Sequence, residues 1–214
     1  MMSNSIAAIE KDLFIHPQAL VESDSIGQGT RIWAFAHVMQ GAQVGAGCNI
    51  CDHVFIETGA IVGNHVTVKN GVAIWDGVTI EDYVFLGPNC VLTNDLNPRA
   101  NRRKSRVELL ETRIGANASI GANATIVCGV TIGRGAFIGA GTVVVRSIPD
   151  FALVVGNPAR QTGWMCVCGQ KLRLAVTAPK HTASSCRACG REYLVKESDL
   201  AICAYPARIA KEDL

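Results

Sequence analysis

The fold this sequence predicts is an all-β solenoid, wound as parallel coils of three short strands each. Two observations predict it. An aliphatic residue recurs at every sixth position from Ile26 through Ile32, Val38, Val44, Ile50, Ile56, Val62, Val68, Ile74, Ile80, Leu86 and Leu92, and the beat resumes at Ile114, Ile120, Ile126, Ile132, Ile138 and Val144. Four residues after each aliphatic stands something small or β-branched, as at Thr30, Ala36, Ala42, Cys48, Val54 and Ala60. A period of six fits neither the stripe of an amphipathic helix nor the alternation of a lone strand.

Each element then has a reason. Three hexapeptides make one coil of eighteen residues, so residues eighteen apart stack on successive rungs roughly 4.8 Å apart. The aliphatic of each repeat points inward and fills a narrow prism, which calls for uniform medium-sized side chains. The small residue turns the corner, where bulk would meet the rung above. Glycine often follows the aliphatic, as at Gly27, Gly45, Gly63 and Gly87, and suits a chain that turns every six residues.

Between the two repeat blocks, Thr93-Asn94-Asp95-Leu96-Asn97-Pro98-Arg99 leads into a basic stretch with Arg102, Arg103, Lys104 and Arg106. Pro98 and the polar run mark a loop. Strict repeats on both sides make it an insertion, 95–113, ejected from a coil that then resumes. A loop leaving a smooth prism is a natural pocket wall, and its arginines suit phosphate or carboxylate. The organisation expected is a solenoid domain over 14–163, an appendage over 164–203 and a tail over 204–214.

Composition narrows the class. The 214 residues are 49% hydrophobic and carry a net charge of +2. That is enough for one sizeable core, and it gives no bulk electrostatic pull toward nucleic acid or a membrane surface. No apolar run approaches a membrane span, and Met1 to Glu10 lack a secretion-signal pattern, so a cytoplasmic protein is expected. Nine cysteines in that compartment are expected as thiols or metal ligands rather than disulfides. Cys48, Cys90 and Cys128 fall in or beside inward small-residue slots and read as buried hydrophobes.

The repeat resembles the bacterial hexapeptide-repeat transferases. That resemblance implies a left-handed parallel β-helix and a homotrimer with active sites between neighbouring subunits. Arg31-Ile32-Trp33-Ala34-Phe35-Ala36-His37, the segment Cys48 to Glu57, Trp75-Asp76-Gly77, Phe85 to Asn89, Leu92 to Asp95 with Asn97-Pro98-Arg99, and Val154 to Arg160 narrow it further. Together they resemble acetyl-CoA-dependent N-acetyltransferases of nucleotide-linked amino sugars. The nearest match is to enzymes acetylating UDP-2-acetamido-3-amino-2,3-dideoxy-glucuronate for bacterial surface polysaccharides such as lipopolysaccharide O-antigen.

N-acetyl transfer needs an unprotonated amine beside a thioester, an oxyanion stabiliser and a route for one proton. Histidine is the usual base, but His37, His53 and His65 occupy outward positions on different faces, His16 precedes the repeat and His181 follows it. None lies in the loop. The resemblance assigns the catalytic role to Asn94, as hydrogen-bond partner of the amine or oxyanion, with the departing CoA sulfur taking the proton. Asp76, eighteen residues earlier, is expected to stack on it. Asp76 and Asp95 either orient the amine or cap the loop, and Arg99 is the candidate for a sugar carboxylate or pyrophosphate. For acetyl-CoA the resemblance points to a groove along the final coils, with Arg146 and Arg160 as phosphate partners, Arg160 being equally suited to a local salt bridge.

After Trp164 the repeat is gone. Cys166-Val167-Cys168-Gly169 is echoed by Cys186-Arg187-Ala188-Cys189-Gly190, each pair followed by glycine and a short strand. The pattern resembles a zinc ribbon, four thiolates around one structural ion, although its first pair is one residue shorter than the usual knuckle. Other readings remain: transfer to a hydroxyl on the same fold, a carbonic-anhydrase-like metal site, or a scaffold whose ribbon binds a pathway partner. The first needs a base, and the second needs three convergent histidines, which the spacing of His37, His53 and His65 does not match.

Overall fold

The computed structural model describes residues 12–102, 104–196 and 200–204, the last five as backbone only. Arg103 and the tail from 205 on lie outside the described residues. The chain is a parallel β-solenoid with three walls. The first wall stacks Phe14–Ile15, Arg31–Ile32, Asn49–Ile50, Thr67–Val68, Phe85–Leu86, Ser119–Ile120, Phe137–Ile138 and Ala152–Val155, and then adds Arg160–Trp164 antiparallel at its end. The third wall stacks Gln43–Val44, Ile61–Val62, Val78–Ile80, Thr112–Ile114 and Thr131–Ile132.

Register follows the period. Ile32 pairs with Ile50 and Ile50 with Val68, partners eighteen apart. All eighteen inward aliphatics except Ile26 are buried, and so are the corner residues Ala36, Ala42, Cys48, Val54 and Ala60. The outward histidines turn corners: His53 and His65 have φ near +60° and stack on Phe35 at 5.0 Å and Tyr83 at 4.8 Å. The buried thiols behave as hydrophobes, and burial pushes the Cys90 thiol up to about 12.

The second wall is where the regularity fails. Its strands Leu20–Val21, His37–Val38, Phe55–Ile56 and Ala73–Ile74 form one sheet, and Val91–Leu92, Thr125–Ile126 and Val143–Val144 form another. In a regular rung the residue after the strand bonds the rung above, as Glu57 N does to Ile74 O at 2.8 Å. At the break the indole Nε1 of Trp75 donates to Leu92 O instead, at 2.8 Å. The wall therefore opens one coil before the loop leaves.

The loop is shorter than expected. Thr112 and Arg113 already belong to a third-wall strand paired with Val78 and Thr79. At its far end the chain crosses from the solenoid into the appendage with no break in the hydrophobic core, which continues from Ile138 and Val154 into Trp164, Leu172, Tyr193 and Val195. No helix among the described residues is long and apolar enough to cross a membrane.

Candidate functional site

The eighteen-residue period puts Thr58, Asp76 and Asn94 in one column at a corner of the second wall. The loop departs from the last of them. Asn94 is half-buried, its Nδ2 lies 3.4 Å from Asp76 O, and its own carbonyl accepts Leu110 N at 2.9 Å where the loop returns. One residue thus marks both ends of the excursion. Thr93 Oγ1 accepts Cys128 N at 3.0 Å on the next coil, which locks the base of the loop to the resumed wall.

Asp76 is held from two sides. Its backbone N–H donates to Glu57 Oε2 at 2.8 Å, and its Oδ2 faces Arg106 Nε at 3.0 Å. Its Oδ1 is buried and has no hydrogen-bond partner among the described residues. A buried carboxylate oxygen left without a donor costs free energy. Gly59 makes room for it: a Cβ there would sit 2.3 Å from Asp76 Oδ1, at a φ of +86°. A cleft of about 260 Å³ opens beside it, lined by Asp76, Gly77, Arg106, Val107, Leu109 and Glu111.

Arg106 was not singled out by sequence reading, because nothing periodic tells one loop arginine from another. Glu57 was missed as well; its signal is the position one residue after an inward aliphatic, one coil below Trp75.

The other expected residues separate. Asp95 closes the loop on itself, accepting Asn97 N at 2.9 Å and pairing with Lys104. The bond from Lys104 holds its carboxyl below the ordinary range. Of the two roles open to Asp95, the loop cap is the one these contacts serve. Arg99 is exposed and bonds Pro98 O at 3.1 Å. It lines a second cleft with Asn97, Arg102, Lys104 and Glu108, out on the loop. A capping box of Ser105 and Glu108 stiffens that segment. Arg146 is exposed at the position in its repeat that Asn94 holds in its own, two coils further on. Arg160 donates to Ala159 O at 3.0 Å.

No histidine lines the cleft beside Asp76. His37 pairs with Glu22 at 3.1 Å. Among the described residues no three-histidine cluster capable of holding a metal occurs, and the one metal-type cluster is Cys166, Cys168, Cys186 and Cys189.

These features define a solenoid that carries a polar corner under an ejected loop. The family described as bacterial transferase hexapeptide (six repeats) matches residues 25–58, 59–94 and 111–146. A curated relative from Aneurinibacillus thermoaerophilus, a dTDP-3-amino-3,6-dideoxy-alpha-D-galactopyranose 3-N-acetyltransferase, is 51% identical over 180 residues, covering 84% of this chain and 90% of its own. The chain belongs to the hexapeptide-repeat transferases, an enzyme family. Similar solved structures include the acetyltransferase domain of PglB from Neisseria gonorrhoeae with acetyl coenzyme A (28% identity, TM-score 0.48). PerB from Caulobacter crescentus in complex with CoA and GDP-perosamine is also similar (28%, TM-score 0.38). Each match covers 72% of this chain and 58% of the other, so this chain spans under two thirds of those proteins.

Proposed function

We propose that this protein is an acetyl-CoA-dependent N-acetyltransferase whose acceptor is the 3-amine of a nucleoside-diphosphate-linked hexose. The observation that carries the proposal is the 51% identity, across 90% of its length, to a relative whose printed activity is 3-N-acetylation of a dTDP-linked amino sugar. The motif blocks named above point to UDP-linked 3-amino sugar acids, and the two acceptor classes share the nucleophile.

The corner supports that chemistry. The amine, docked in the cleft, is oriented by the Asp76 carboxylate while the Asn94 side chain aligns it or bonds the oxyanion. The amine nitrogen attacks the thioester carbonyl, the carbon–sulfur bond breaks, and the ammonium proton passes to the departing thiolate to give free CoA. No protein base is required, in keeping with a cleft that histidine does not line. Arg106, its Nε 3.0 Å from Asp76 Oδ2, holds the carboxylate in place. Arg99, with Arg102 and Lys104, offers the positive surface for the pyrophosphate or a sugar carboxylate. Acetyl-CoA lies along the final coils with Arg146 and Arg160 at its phosphates. A homotrimer would place these groups in the groove between subunits, and outward apolar residues such as Trp33, Ile61, Phe85 and Val91 provide surface for it to cover.

The test is release of CoA thiol from acetyl-CoA with dTDP-3-amino-3,6-dideoxyhexoses, UDP-3-amino sugar acids and the matching 4-amino sugars. Turnover with a 3-amino acceptor, reduced about 10²- to 10³-fold in kcat by Asn94→Ala, is expected. Turnover that survives the substitution would sink the role of Asn94. Silence across the panel would sink the acceptor class.

A further inference from the structure

The acyl-transfer corner makes no use of the cysteine cluster. The four sulfurs of Cys166, Cys168, Cys186 and Cys189 lie within 4.8 Å of one another, with 3.4 Å between Cys166 and Cys189 and 3.6 Å between Cys168 and Cys186. A tetrahedral ion holding thiolates at about 2.3 Å sets its sulfurs roughly 3.8 Å apart, whereas a disulfide needs about 2.05 Å. The observed spacing is that of a ligand shell.

The two half-sites are built alike. In one, Gly169 N bonds Cys166 O at 2.9 Å and Cys166 N bonds Gln170 O at 2.8 Å. In the other, Gly190 N bonds Cys186 O at 2.8 Å and Cys186 N bonds Arg191 O at 2.9 Å. Gly169 and Gly190 both have positive φ, +83° and +72°. The first turn closes over three residues and the second over four, so the short first pair still presents both thiols to the same point. Arg191 is buried and hydrogen-bonds Cys189, a cation placed where four thiolates around a dication would leave excess negative charge.

The cluster is also tied to the solenoid. Tyr193, fully buried, donates its hydroxyl to Cys166 Sγ at 3.0 Å and accepts Val167 N at 3.1 Å. Its ring meets Phe151 edge-on, 5.3 Å between centroids at 76°. Phe151 belongs to the last coil and lies over Gly135, where a Cβ would come within 2.5 Å of its ring. Met165 N bonds Phe151 O at 2.7 Å. The last rung of a solenoid otherwise presents an open edge and an uncovered core.

We propose that Cys166, Cys168, Cys186 and Cys189 hold one zinc ion as a tetrathiolate, and that this ion, through Tyr193 and Phe151, locks the appendage as the C-terminal end cap of the solenoid. Four protein ligands leave no open position, so the role is structural. Soft thiolates in a tetrahedron favour zinc over magnesium or calcium. The proposal does not depend on the acyl-transfer reading.

The test uses the full chain. Elemental analysis of protein purified without chelator should give one zinc per chain, and cobalt exchanged for it should show tetrahedral thiolate ligand-field bands. A Cys166→Ser/Cys189→Ser variant should lose both. Removing zinc with a chelator under reducing conditions should speed amide exchange over 151–165 and 192–195 about tenfold or more, while amides of the middle coils keep their protection. Tyr193→Phe should keep the zinc and raise exchange over 151–165 by a smaller factor. Two disulfides by mass, or four reactive thiols with no bound zinc, would overturn the metal site. Zinc that can be removed without changing exchange at 151–165 would overturn the cap.

Discussion

Two corners of the same prism carry stacked polar residues, and they use them in opposite ways. At the corner between the third and first walls, Asn64 Oδ1 accepts Ala46 N at 2.9 Å, Asp82 Oδ1 accepts Asn64 N at 2.7 Å, Glu81 Oε2 accepts Ala116 N at 2.8 Å and Asp150 Oδ1 accepts Arg134 N at 2.7 Å. Each side chain caps an N–H at the corner; for Asn64, Asp82 and Asp150 it belongs to the following coil, and for Glu81 to the coil before. At the Asp76 corner Glu57 caps the N–H of Asp76 on the following coil, as Glu81 does for Ala116, but the Asp76 carboxylate itself accepts no backbone N–H among the described residues. The carboxylate of Asp76 is thereby released from structural duty, and one of its oxygens stays unpartnered. The structural corner spends its acceptors on backbone; the corner proposed as reactive withholds one.

The comparison is tested hardest at Asp76. Asp76→Asn replaces a charged acceptor by an amide and removes the ion pair to Arg106, and kcat/KM is expected to fall on the order of 10²-fold, about 2.7 kcal/mol. Melting should shift little, since no backbone group loses its partner. A large loss of stability with normal specific activity would make Asp76 another structural corner.

Asp82→Ala should do the reverse. It strands Asn64 N and lowers stability by about 1 kcal/mol, with kcat per folded molecule unchanged. Chemical denaturation beside the thiol-release assay separates the two effects; a kcat loss comparable to that of Asp76→Asn would erase the distinction.

The smallest effect belongs to the loop. Because Lys104 holds the Asp95 carboxyl below its ordinary range, the pair contributes above the unfolded-state value near pH 4 and is lost only as pH falls below it. Cleavage by an acid-active protease within 97–108 should therefore stay flat from pH 7 to about 5 and rise by a few-fold below pH 4. Asp95→Asn should show the faster rate throughout. A wild-type rate that climbs through pH 6 would assign the loop's anchoring to another group.

Much of this was legible in the residues. The six-residue beat dictates the prism, because each hexapeptide buries one medium aliphatic and, four residues on, one small or β-branched side chain. The same period places Asp76 under Asn94. It places Asn64 under Asp82 equally well, so stacking alone could not tell a reactive pair from a structural one. Arg106 was hidden because the loop has no period to fix where its side chains return. Asp95 closes the loop on itself, and Arg99 lines the outer cleft, contacts that the motif does not specify.

The appendage divides in the same way. The paired cysteines and glycines are local, and the resemblance to a zinc ribbon singled out the four thiols that the fold gathers within 4.8 Å. That Tyr193 ties this cluster to Phe151 on the last coil could not be read from the chain, since the two are joined by no repeat and meet only once the hairpin at Gly156 turns back. Periodic burial is determined by sequence because each coil repeats the constraint of the one before. The surroundings of Asp76 and the contact of Tyr193 with Phe151 are decided in three dimensions, where unique contacts form between segments that share no period.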